Sequence, residues 1–167
     1  MELGGEMIIK PLDGAGGSGV FYLNQQDRNT NSILEAATNN GQKLVMGQRY
    51  LPEIRQGDKR IIVLNGDPLG AVLRVPLEEE TRGNIHVGGQ CVRAEVTPRD
   101  QEICAALAPL LRQDGLYFVG LDVIGNYLTE VNVTSPTGIQ EINSLNAVRL
   151  EAQVIDFIEQ KVQNRNS

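Results

Sequence analysis

The sequence predicts an α+β fold in which antiparallel sheets pack against helices, and three observations predict it. Two pairs of β-rich runs are each split by a tight-turn signal. Lys59 to Leu64 and Leu69 to Val75 flank Asn65-Gly66-Asp67-Pro68, while Tyr117 to Ile124 and Tyr127 to Val133 flank Gly125-Asn126. Between these hairpins Thr97-Pro98 supplies an N-cap and a first-turn proline, and Asp100 falls three residues after the cap. Ile103, Leu107, Leu110 and Leu111 then recur at helical spacing until Gly115. Hairpins following one another with helices at intervals build antiparallel sheets covered by helices.

The remaining elements follow in chain order. Met7 to Leu12 reads as a strand, a glycine-rich loop follows, and Gly19 to Leu23 reads as the returning strand. The polar run Asn24 to Ser32 leads into a short helix, about Ser32 to Asn39, which Asn40-Gly41 stops. Lys43 to Leu51 is apolar and strand-like up to Pro52. Pro76 to Val96, with its EEETRGN and HVGGQCV segments, reads as a polar loop punctuated by glycine, and Ala147 to Gln163 is an amphipathic helix. The predicted order is β-β-α-β-β-β-α-β-β-α, without internal repeat or low-complexity tract.

A chain of 167 residues is one ordinary domain, or two small lobes sharing a core. Fifteen Lys and Arg against 21 Asp and Glu give a formal charge of -6, so no broad footprint for nucleic acid or an anionic membrane is expected. Any anion must be met locally. Cys91 and Cys104, with one histidine (His86), write neither a disulfide framework nor a zinc site. The N-terminal segment lacks the pattern of a secretory signal and no window approaches a membrane span, so a cytoplasmic protein is expected.

Three groups of residues could carry chemistry. In KPLDGAGGSGVF, Lys10 to Phe21, four glycines within six residues let the backbone approach a ligand, and successive amides can line an anion-binding concavity. The lysine precedes the glycines and a strand follows them, so this is neither a Walker loop nor a dinucleotide fingerprint. On its own the loop is equally a phosphate cradle or a hairpin tip.

The second group is Asp122 with Glu130 and Asn132. Alternation along a strand places Glu130 and Asn132 on one face, and the Gly125-Asn126 turn sets Asp122 beside them. Two carboxylates and an amide oxygen suit Mg²⁺, which takes its remaining ligands from water and phosphate. The alternative is that Asp122 and Glu130 pair with buried arginines. Val119, Leu121, Val131 and Val133 predict burial, so in either case a cation must neutralise the carboxylates. The third group is cationic: Lys59, Arg60, Arg74 and Arg82, with arginine forks that match carboxylate or phosphate bidentately.

Taken in order, KPLDGAGGSGVF, QRYLPEIRQGDKRIIVLNGDPLGAVLRVP, ETRGN followed by Gly88-Gly89, GLDVIG and TEVNVTSPTGIQEI resemble bacterial glutathione synthetase, of the ATP-grasp superfamily, over nearly the whole chain. The resemblance implies part of an ATP-grasp fold. Residues 1–50 would be the remainder of the first lobe, and residues 51–167 a second lobe carrying metal and substrate residues. It implies a ligase that joins γ-glutamylcysteine to glycine with ATP and Mg²⁺, or Mn²⁺ in its place, through an acyl phosphate.

Carried over by position, Lys10 would contact the ATP phosphates beneath a flexible loop of Asp13, Gly14, Gly16, Gly17, Ser18 and Gly19. Gln48, Tyr50 and Leu51 resemble the adenine-binding connection, and Asp58 the residue near the ribose. Arg60, Arg74 and Arg82 would face phosphate or the reacting carboxylate. Asp122, Glu130 and Asn132 match the metal ligands. Arg82 and Asn84, with Ser135, Pro136, Thr137 and Gly138, resemble the substrate-binding segments, and the glycine and TRGN loops would act as lids. The family carries a further N-terminal domain and is homo-oligomeric, so a chain of this length is expected to ligate poorly alone. Another ATP-grasp carboxylate-amine ligase and a non-catalytic nucleotide-binding module remain the alternative readings.

Overall fold

The computed structural model describes residues 5–14, 16–77 and 90–165. Within them lie eight strands and four helices. They are β1 Glu6–Pro11, β2 Phe21–Asn24, α1 Thr30–Ala37, β3 Val45–Arg49, β4 Asp58–Leu64, β5 Asp67–Val75, β6 Gln90–Ala94, α2 Pro98–Gln113, β7 Phe118–Ile124, β8 Tyr127–Asn132, α3 Ile139–Asn146 and α4 Leu150–Arg165. A 3₁₀ turn, Pro52–Gln56, joins β3 to β4. All pairings are antiparallel: a small sheet ordered β2-β1-β3 and a large one ordered β6-β5-β4-β7-β8. No helix among the described residues is long and apolar enough to cross a membrane.

The large sheet is covered on both faces, and alternation sorts its side chains between them. Ile61, Val63, Ala71, Val119, Leu121 and Val123 join Ile103, Cys104 and Leu111 of α2 in the main core. On the opposite face Ile62 and Val72 meet Ile142 of α3 and Leu150 of α4. The same opposite face carries Asp58 and Arg60 on β4, Arg74 on β5 and Asp122 on β7, by strict alternation from Ile62, Val72 and the β4–β7 register. One end of that face is therefore apolar and covered by helices, and the other is charged.

Helix α2 starts as predicted. Asp100 N donates to the Thr97 hydroxyl, the Asp100 carboxylate accepts from the Thr97 amide, and Lys59 Nζ lies 2.6 Å from Asp100 Oδ2, tying the cap to β4. Cys104, among the apolar residues of α2, is a core residue.

Three expectations need correction. The Pro76 to Val96 loop ends in a strand, since Gln90–Ala94 pairs with β5 as an edge; only Cys91 and Ala94 pack on the two cores, three residues apart, so no alternation is left to read. Ile139–Asn146 forms helix α3, an element absent from the predicted order, because Gly138 at φ 128° ends the loop and Ile142 packs against Ile62 and Val72. Val131 on β8 and Val133 just beyond its end are 40% and 43% exposed rather than buried, since β8 is the outer strand of its sheet. The TRGN loop, with Arg82, Asn84 and His86, lies outside the described residues.

Candidate functional site

The charged end of the large sheet faces the small sheet across a cleft of about 1150 Å³. One backbone irregularity docks the two sheets. The β7–β8 register skips between Asp122 and Val123, so that Asp122 opposes Glu130 while Val123 opposes Leu128 and Thr129 is left as a bulge. Its carbonyl is thereby released from the ladder and accepts from Lys10 Nζ on β1 and Gln48 Nε2 on β3, both at 3.1 Å. Side-chain patterns could not have announced this contact, because the acceptor is a backbone atom.

The glycine loop lies between antiparallel strands β1 and β2, as the sequence predicts. Gly16, Gly17 and Gly19 have φ of 65°, 79° and 72°, a region that side chains disfavour, so the loop depends on glycine. Gly14, Gly16, Gly17 and Ser18 line the cleft, as do Lys10 and Gln48. Tyr50, Leu51, Asp13 and Gly19 do not line it. Tyr50 instead stacks edge-on against Tyr22, at 4.8 Å between centroids, and Asp13 pairs with Lys43 at 3.0 Å.

At the cleft floor the charges neutralise one another. Arg60 grips Asp122 with Nε at 2.5 Å from Oδ1 and Nη2 at 3.0 Å from Oδ2, and donates Nη1 to the Thr137 carbonyl at 2.9 Å. Arg74 Nη2 lies 2.5 Å from Asp58 Oδ2 and 3.0 Å from Asp122 Oδ2. Asn132 Nδ2 adds a bond to Asp122 Oδ2 at 3.2 Å, and Lys10 Nζ sits 3.5 Å from Glu130 Oε2. The arginine pairing weighed as the alternative for Asp122 is thus present, and Asp58 is enclosed with Arg74 rather than lining the cleft. Burial favours the neutral form of Asp122, but the hydrogen bonds and charges of Arg60 and Arg74 outweigh it and hold the carboxyl below its usual range. Asp58 goes the other way: burial, reinforced by the negative charge of Asp122, raises it to about 7 against the pull of Arg74 and Arg60.

The opposite shifts make a testable prediction. Between the ordinary aspartate value of 3.8 and about 7, folded Asp58 keeps a proton that the unfolded chain releases. Its contribution to stability is complete below the lower value and is lost as pH rises through the upper one. Chemical unfolding across this range should show wild-type stability falling, relative to Asp58→Asn, by a few kcal/mol at about 1.4 kcal/mol per unit. Parallel curves would contradict the assignment.

Ser135, Pro136, Thr137 and Gly138 form one wall of the cleft, ahead of α3. Two glycines let this wall sit low on the sheet. A Cβ on Gly120 would lie 2.8 Å from Pro136 Cβ, and one on Gly138 would lie 3.1 Å from Arg60 Cγ. Gln140 and Glu141, which the sequence reading did not select, continue the same wall. Their signal was available: polar side chains in the first turn of a short helix directly after the loop.

The residues present suit a polyphosphate and its divalent cation. The buried Arg74 Nε has no hydrogen-bond partner, the glycine loop offers a backbone cradle, and Glu130 and Asn132 present hard oxygen donors from the outer strand. Among the described residues no three His, Cys, Asp or Glu side chains gather to hold a metal on their own. Such a site suits a cation that brings most of its ligands with it.

A family model described as Prokaryotic glutathione synthetase, ATP-grasp domain, matches residues 1–147. Curated glutathione synthetases are similar in sequence. That of Thermosynechococcus vestitus is 57% identical over 92% of this chain and 48% of its own length, and that of Synechococcus elongatus is 59% identical over 91% and 47%. The chain spans about half the length of these relatives. Among solved structures, D-alanine–D-alanine ligase from Bacillus anthracis complexed with ATP superposes with a TM-score of 0.65 at 14% identity, covering 98% of this chain and 55% of that one. The ATP-grasp ligase PsnB complexed with minimal precursor, Mg and ADP does so with a TM-score of 0.60 at 20% identity, covering 93% and 47%. At such identities these structures establish the fold.

Proposed function

Because the chain belongs to the prokaryotic glutathione synthetase ATP-grasp family, we propose that it forms the nucleotide- and metal-binding part of a cytoplasmic ligase that joins γ-glutamylcysteine to glycine at the expense of ATP. The observation that carries this reading is the convergence, in one cleft, of the glycine loop, Lys10, Arg60, Arg74, Glu130 and Asn132. Residues 1–50 and 51–167 serve as the two lobes that close on the nucleotide, and a homo-oligomer is the expected assembly of the complete protein.

Joining a carboxylate to an amine requires activating the carboxylate, and transfer of the ATP γ-phosphoryl group to it gives an acyl phosphate that the glycine amine attacks with loss of phosphate. Such transfer needs alignment and charge neutralisation more than a protein nucleophile. Lys10 and the loop amides hold phosphate oxygens from the small-sheet side. Arg60 and Arg74 approach from the floor, where they neutralise charge on the transferring group and on the substrate carboxylate. Gln48 and Met46 on β3 form the adjoining wall, facing the base. Glu130 and Asn132, with Asp122 once its arginines turn to phosphate, would hold Mg²⁺ or Mn²⁺, which when bound neutralises phosphate charge and draws the oxygens into line. Closure of the glycine loop excludes water that would hydrolyse the acyl phosphate.

The floor and small-sheet cations each already have a carboxylate partner, so nucleotide and metal enter as one unit. Phosphate oxygens release carboxylates that only an incoming cation can satisfy. Incubating the chain with ATP, Mg²⁺, γ-glutamylcysteine and glycine tests the reading: MgATP binds saturably, and any turnover yields ADP and orthophosphate. Absence of MgATP binding, or release of AMP and pyrophosphate, overturns it.

A further inference from the structure

Between the outer strand β8 and the cleft wall the chain makes one turn that its sequence resists. Thr134 has a φ of 73°, and Ser135 N donates to the Val133 carbonyl at 2.9 Å across it. A bond spanning two residues around a positive φ is the rare, strained form of the γ-turn, and a β-branched residue suits that region poorly. The Thr134 side chain is exposed, and no hydrogen bond engages it among the described residues, so its own contacts do not offset the strain.

Two anchors flanking the turn hold it in place. On one side Asn132 Nδ2 donates to Asp122 Oδ2 at 3.2 Å, and on the other the Thr137 carbonyl accepts from Arg60 Nη1 at 2.9 Å. Arg60 and Asp122 are themselves joined at 2.5 and 3.0 Å. Residues 132–137 therefore form a clasp over a single ion pair, with Thr134 as its strained link. Pro136 seats the clasp on the sheet at Gly120, where a Cβ would lie 2.8 Å from Pro136 Cβ.

We propose that Thr134 is a positioning residue for the nucleotide and metal site, its strained turn opposing the Arg60–Asp122 pair and relaxing when that pair parts for phosphate and cation. The proposal rests on the ligase reading above. Strain present only while the pair is joined raises the free energy of the joined state, so its release favours the parted one.

The test compares Thr134→Gly and Thr134→Asn, which accept a positive φ, with Thr134→Val, which keeps the branched shape and loses the hydroxyl. Urea unfolding reads stability, and calorimetric titration with MgATP reads affinity. The first two variants should unfold at the same or higher urea concentration than the wild-type chain, yet bind MgATP about tenfold more weakly, within the range that one strained residue stores. Thr134→Val should match the wild type in affinity. A merely structural role would lower stability and affinity together. That result, or affinity that is unchanged or tighter in the first two variants, or equal weakening in Thr134→Val, overturns the proposal and leaves the ligase reading standing. Absence of MgATP binding to the wild-type chain overturns both.

Discussion

Replacing Asp122 with alanine should lower the free energy of unfolding by about 3–5 kcal/mol, the usual cost of removing one partner from a buried ion network. The reason is what stays behind. Arg60 and Arg74 are 6% and 4% exposed, and both direct guanidinium groups at this one carboxylate. Without it Arg60 retains only the Thr137 carbonyl among the contacts described, while Arg74 keeps Asp58. Removing Asp122 also removes the negative charge that helps hold the Asp58 carboxyl up, so Asp58 ionises more readily and compensates Arg74, while Arg60 is left without a carboxylate. Urea unfolding of the variant measures the loss. Adding Arg60→Met should recover part of it by removing the stranded charge. A loss below about 1 kcal/mol would show that the arginines reach water in the folded chain, against the enclosed network described here.

The second large effect concerns binding. Replacing Glu130 and Asn132 together by alanine should abolish the dependence of ATP affinity on Mg²⁺ with little change in stability. Glu130 has a half-exposed side chain on the outer strand, and its one partner, Lys10, is 3.5 Å away. Residues that merely orient metal ligands are worth about 10- to 100-fold in metal affinity, so losing two ligands should cost at least that much. Fluorescence titration with a nucleotide analogue at fixed and zero Mg²⁺ gives the number. An undiminished Mg²⁺ effect in the double variant would place the cation elsewhere.

How much of this the sequence displayed depended on which atoms carry the information. Side-chain chemistry was readable. Asn65-Gly66 and Gly125-Asn126 marked the hairpins that place Arg60, Arg74, Asp122 and Glu130 on one face, and Thr97 with Asp100 marked the start of α2. Backbone-driven features were not. Strand β6 is an edge whose exposed residues satisfy no pattern, and the Thr129 bulge docks the small sheet through a carbonyl. Helix α3 was obscured by the Ser135 to Gly138 loop that enters it.

The acidic cluster shows a subtler limit. Its location followed from alternation, but its partner did not, because a carboxylate set suited to Mg²⁺ and one suited to arginine look alike in sequence. The structure brings both possibilities to one place: Asp122 is engaged by Arg60 and Arg74 while Glu130 and Asn132 face the cleft. The expected burial of Val131 and Val133 failed for a related reason. Apolar alternation locates a strand but does not reveal whether another strand or solvent lies beyond it.

An internally neutralised cleft should admit nucleotide and divalent cation as one unit. The most direct test is calorimetric titration of the chain with ATP, once with Mg²⁺ present and once with chelator. Binding should be saturable with Mg²⁺ and weakened at least about tenfold without it; equal affinity in the two titrations, or no binding in either, would contradict coupled entry.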